Sequence, residues 1–204
     1  MSECYLCGNK LVRKVNRTKD HIPPDSFFPP GTPNMITVPC CYDCNQKYKQ
    51  LDDKIHNHMA SLITMPSTPI ERGHRAVLQS PKLAREYLSY TKKHPTLVGK
   101  DGKPRIIYYF KKAEIDNWLI RIVKGLYFHE NHKRIVETAI FRPTVIYDII
   151  PPSSESFPME KGSGRRPYFV YADVKDDNIP NLDCWVFIFY DKLIFIVEVD
   201  IPST

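Results

Sequence analysis

Apolar and polar residues alternate along this chain on two different periods, and the switch between them divides it. From residue 112 the stretch "KAEIDNWLIRIVKGLYFHEN" places Ile115, Trp118, Leu119, Ile122, Val123, Leu126 and Tyr127 at i, i+3, i+4 and i+7. That spacing predicts a helix with one broad buried face. Beyond it the period shortens. "TAIFRPTVIYDII", "PYFVYADV", "CWVFIFY" and "LIFIVEV" are rich in β-branched and aromatic residues and predict strands. The last two flank Asp191-Lys192, which predicts an antiparallel hairpin. Upstream, "HPTLVGKDGKPR" reads as a polar loop before a strand "IIYYF", and two helices are expected near 70–79 and 81–93. "TMPSTP", residues 64–69, reads as a linker. Before it, Leu11, Val12, Val15 and Thr18 offer a first strand and "MITVP" a second. A helix then starts near Tyr42, with Tyr48, Leu51, Ile55, Met59 and Leu62 on one face.

The expected fold class is α+β. One unit spans residues 1–63 in the order knuckle, strand, loop, strand, helix. A second spans 64–204, an accessory α+β domain with a mainly antiparallel sheet. The formal net charge of +6 suits a nucleic-acid partner without requiring one. No apolar run has the length of a membrane span, and "MSECYLCGNK" lacks a signal-peptide core. The expectation is a cytoplasmic protein with reduced thiols, so its six cysteines point to metal before disulfide.

Four of those cysteines form two pairs, Cys4-x2-Cys7 and Cys41-x2-Cys44. Two residues between thiolates let one turn aim both sulfurs at a single ion, and two such turns close a tetrahedral Zn2+ shell. With all four positions filled, the zinc is structural. A segment this small buries little surface, so the ion supplies much of its folding energy. Cys40 and Cys184 read as small apolar packing.

The stretch "RTKDHIPPDSFFPP" sets Asp20 beside His21, ahead of a proline-rich loop, and Asn45 directly follows Cys44. If strand end and helix start face one another, a carboxylate, an imidazole and an amide oxygen share one small space. At this point the segment resembles the zinc-containing HNH endonucleases, the ββα-metal nuclease fold, of the small standalone bacterial type. The resemblance rests on "TKDHIPP" and "PNMITVPCCYDCN" and covers residues 4–55. It implies that His21 is the general base, that Asp20 and Asn45 hold a catalytic Mg2+ or Mn2+, and that Asn34 ties the loop together. It also implies that Cys4, Cys7, Cys41 and Cys44 bind the structural zinc. The "NQKYKQ" run lacks the family's frequent Lys-Gly.

The implied activity is metal-dependent hydrolysis of DNA phosphodiester bonds, in a setting of restriction or anti-phage defence. An imidazole, with an unperturbed pKa of about 6.5, suits the base. An Mg2+ held by two protein oxygens keeps positions for phosphate. Arg17, Lys19, Lys47 and Lys49 flank the site as phosphate contacts. Besides DNA, the expected partners are a second copy of the chain or an activating protein, with no membrane. The rival is a non-catalytic zinc module that binds nucleic acid or protein. His56, His58, Asp52 and Asp53 read as packed or solvated helix positions, His129 and His132 as helix-end residues, "KGSGRRP" as a solvated loop, and Trp118 and Trp185 as core.

Overall fold

The computed structural model describes residues 3–62, 97–98, 104–105, 111–146, 161–162, 168–175, 179, 181–190 and 193–202. The expected linker at 64–69, the helices near 70–79 and 81–93 and the "IIYYF" strand lie outside the described residues, and so does the boundary at 63. The described part is mixed helix and sheet, and every strand pairing is antiparallel. No described helix is long and apolar enough to cross a membrane.

The chain opens with the knuckle Cys4–Gly8, where Gly8 takes φ +74° and donates its N–H to the Cys4 carbonyl at 2.9 Å. Only glycine adopts that backbone at little cost, which is why it follows the second cysteine. Strand β1 (Arg17–His21) pairs with β2 (Thr37–Cys41), and helix α1 (Tyr42–Leu62) follows β2 without a break. The first strand lies later than its apolar residues suggest. Val12 and Val15 sit in an exposed turn that Asn16 closes by accepting from the Val12 N–H at 2.8 Å. Asn16 then accepts the Tyr42 N–H at 2.9 Å and ties this turn to the start of α1. A short 3-10 helix, Asp25–Phe27, stands in the loop between the strands. The polar loop before residue 106 holds a small hairpin of β3 (Leu97–Val98) and β4 (Pro104–Arg105).

Helix α2 (Lys112–Asn131) has the bounds its periodicity predicts, and all seven predicted apolar residues are buried. It ends where His132 turns left-handed at φ 54° and gives its N–H to the Phe128 carbonyl. Five strands then form one sheet in the order β5-β9-β8-β7-β6: β5 (Ile140–Ile146), β6 (Lys161–Gly162), β7 (Phe169–Lys175), β8 (Leu182–Phe189) and β9 (Leu193–Asp200). Strands β8 and β9 pair as predicted, while β6 adds an edge inside the stretch read as a solvated loop. Helix α2 lies between the sheet and the N-terminal segment. The Trp118 ring meets Phe189 at 5.5 Å and Phe195 at 6.3 Å on one side, and stacks on Phe27 at 5.4 Å on the other. A single buried cluster therefore runs from Cys4 to Val199.

Candidate functional site

The knuckle, the end of β2 and the first turn of α1 bring four sulfurs together. The Sγ atoms of Cys4, Cys7, Cys41 and Cys44 lie within 4.8 Å of one another. Those of Cys7 and Cys41 are 3.8 Å apart. A tetrahedral zinc with Zn–S bonds of about 2.3 Å sets its sulfurs ~3.8 Å apart, so this donor set can hold a metal ion such as zinc. The thiols also perturb one another. The Cys40 thiol beside Cys4, with Sγ atoms 3.9 Å apart, draws the Cys4 thiol far down, to about 3. Burial, then the neighbouring thiols, push Cys44 up, and burial raises Cys7 as well. Four thiols this close ionise together only around a cation. Cys40 is fully buried beside the cluster, and Cys184 is half-buried.

Next to the cysteines lies a cavity of about 240 Å³ whose lining includes Lys19, Asp20, His21, Asn45, Lys49 and Asp52. The end of β1 and the first turn of α1 thus bring Asp20, His21 and Asn45 to one space. The amide of Asn45 is anchored by its nitrogen, which donates to Thr18 Oγ1 and to the Lys19 carbonyl, both at 3.3 Å. Its oxygen is the remaining polar atom of the amide and could accept a donor or a cation. Lys19 and Lys49 also line this cavity, whereas Arg17 and Lys47 are exposed outside it. Asn34 is elsewhere. It lines a separate cavity of about 530 Å³ with His129, Glu130, Lys161 and Tyr171, and its φ is 56°.

Asp20 is the residue whose surroundings the sequence did not disclose. It is buried, and its Oδ2 accepts from the Tyr5 hydroxyl at 2.6 Å and from Arg121 Nη2 at 2.8 Å and Nε at 3.3 Å. Its Oδ1 accepts from Arg121 Nη2 at 2.7 Å and keeps a second lone pair. Arg121 itself is buried in α2, pairs with Asp52 through Nη1, and carries the Tyr48 ring 4.8 Å from its guanidinium carbon. Burial pushes the Asp52 carboxyl up to about 6, against the pull of Arg121. Asp52 is therefore a packed helix position, and so is His56, which meets the edge of Phe27 at 5.3 Å. Sequence reasoning missed Arg121, Tyr5 and Asp52 as parts of this site. One signal was present: Arg121 is a lone cation inside the apolar stripe of α2.

His21 is the last residue of β1, and the residue behind it is held tightly. Ile22 is buried, donates its N–H to the Ile36 carbonyl at 3.0 Å, and packs on Gly125 of α2. A Cβ at Gly125 would lie 2.6 Å from the Ile22 side chain, so glycine lets α2 approach the strand end. The chain matches no protein-family model, no curated protein and no solved structure.

Proposed function

We propose that the chain is a metal-dependent endonuclease of the HNH type that hydrolyses DNA phosphodiester bonds. In this reading β1, β2 and α1 are a ββα-metal unit pinned by zinc. The observation that carries it is the cavity lined together by Asp20, His21 and Asn45, next to four convergent cysteines. His21 takes the proton of the attacking water. Asp20 offers the open lone pair of Oδ1 and Asn45 its amide oxygen, a donor set of hard oxygens that fits Mg2+ or Mn2+. The ion, when bound, supplies positive charge against the phosphate and the departing oxygen. Lys19 and Lys49 line the cavity and neutralise backbone phosphates, with Arg17 and Lys47 extending the basic surface beside it.

The second reading is a non-catalytic zinc module that binds nucleic acid or protein. The capture of Asp20 Oδ2 by Tyr5 and Arg121 favours it. Plasmid nicking separates the two. With Mg2+ or Mn2+, the wild-type chain should nick supercoiled DNA, and His21→Ala should be slower by a factor on the order of 10²–10⁴ with zinc content and DNA binding retained. Nicking by His21→Ala at the wild-type rate would refute the proposed mechanism. DNA binding without cutting by the wild type would leave the zinc module.

A further inference from the structure

We infer that Tyr5 and Arg121, balanced by Asp52, are the positioning residues that aim Asp20 at a divalent cation, so that the zinc knuckle and helix α2 both build the site. The inference rests on the nuclease reading and deepens it.

The geometry is that of an oriented ligand. Three donor contacts converge on Oδ2 and one on Oδ1. They fix the carboxylate plane from two directions, since Tyr5 comes from the knuckle and Arg121 from α2. The remaining lone pair belongs to Oδ1, on a residue that lines the cavity. Metal-ligating carboxylates are held by outer hydrogen bonds in this way, and loss of such a bond typically costs 10- to 100-fold in metal affinity.

The charge balance agrees. Arg121 alone would cancel the charge of Asp20, in a cavity that Asp25 and Asp53 also line, opposite in charge to Lys19 and Lys49. Asp52 pairs with the same guanidinium, so two carboxylates and one arginine carry a formal charge of −1. The Tyr48 ring faces the guanidinium and helps keep it in place. A buried ion pair adds little net stability compared with well-packed apolar residues. Placement of Asp20 is the use that its open lone pair supports. Tyr5 sits between two zinc ligands, Cys4 and Cys7, so the cysteine cluster sets the donor that reaches Asp20.

The test uses the full-length, zinc-loaded chain as wild type, Tyr5→Phe, Arg121→Lys and Asp52→Asn. Mn2+ affinity is read by calorimetry and by the electron paramagnetic resonance of free Mn2+. Asn45→Ala marks the signal that belongs to this site, and nicking and thermal unfolding are followed in parallel. Tyr5→Phe and Arg121→Lys are expected to weaken Mn2+ binding about 10- to 100-fold in protein that remains folded. Asp52→Asn should weaken it in the same direction, with Asp52→Glu restoring part of the loss. A merely structural role would lower the unfolding temperature and leave Mn2+ affinity unchanged. That result in both Tyr5→Phe and Arg121→Lys, with the wild type still nicking DNA, overturns the inference alone. Should Arg121→Lys fail to fold, Tyr5→Phe decides. A wild type that neither binds Mn2+ nor cuts overturns the inference and the nuclease reading together.

Discussion

The N-terminal segment and the five-stranded sheet hold together by different means. In the sheet, Phe169, Trp185, Phe187, Phe189, Val197 and Val199 are almost wholly buried, and strands β5, β9, β8 and β7 pair with one another over seven or eight residues. Each such side chain contributes roughly 1.5–3 kcal/mol when it leaves water. Residues 3–62 have a five-residue hairpin, a short 3-10 helix and one α-helix; Asp20 and Asp52 are buried among them, and four sulfurs, those of Cys4 and Cys41 on buried residues, stand at metal-binding distance. That segment spends polar groups where the sheet uses aromatic ones. A region that keeps a carboxylate, an imidazole and an amide at one cavity forgoes apolar packing there; helix α2 packs against it, and its four clustered cysteines could hold a metal ion that cross-links it.

The largest test of this contrast removes one of the four clustered cysteines. Cys44→Ser should lose the ion and cost more than about 4 kcal/mol, the scale associated with loss of a metal. Elemental analysis reads the zinc. Hydrogen exchange should then show lost protection in residues 3–62 while β7, β8 and β9 keep theirs. Unchanged zinc in this variant, or equal loss of protection in both regions, would erase the contrast.

The joint between the regions comes next. Trp118→Ala removes the ring that stacks on Phe27 and packs on Phe189 and Phe195, and should cost about 3–5 kcal/mol. Because the ring belongs to both sides, circular dichroism should show the two regions weakened in one transition. A smaller net loss, about 2 kcal/mol, is expected for Gly125→Ala. The added Cβ must displace Ile22, which outweighs the roughly 1 kcal/mol gained in helix propensity. Urea unfolding measures it, and a net gain in stability would show that Ile22 yields freely. Smallest is Tyr190→Phe, about 1–2 kcal/mol, because its hydroxyl donates to the buried Phe27 carbonyl at 2.9 Å. If the midpoint in urea does not move, that bond does not help join sheet to segment.

Long regular elements were legible before any coordinates. The helix 112–131 and the β8–β9 pairing follow from period alone, because a face that must be dry writes itself into spacing. Short elements were less so. Val12 and Val15 look like strand but are exposed, since the Asn16 turn and the register of Arg17 against Cys41 decide where β1 begins. The edge strand β6, two residues long, carries no period at all. In the candidate site, the meeting of Asp20, His21 and Asn45 was readable because Asp20 and His21 lie between the two cysteine pairs and Asn45 directly follows the second. Asn34, read as tying the loop together, takes φ 56° in that loop and lines the other cavity.

What the sequence determined by itself is which apolar faces of the long elements leave water and which four sulfurs can close on an ion. Spacing encodes both, since a thiolate pair needs one turn and a buried face needs a fixed period. Only the tertiary structure decided what Asp20 touches. Its partners, Tyr5 and Arg121, stand 15 and 101 positions away, and neither spacing nor composition relates them to it. Periodicity says that Arg121 lies on a buried face. The packing of α2 against the end of β1, made possible by Gly125, says which carboxylate it meets there.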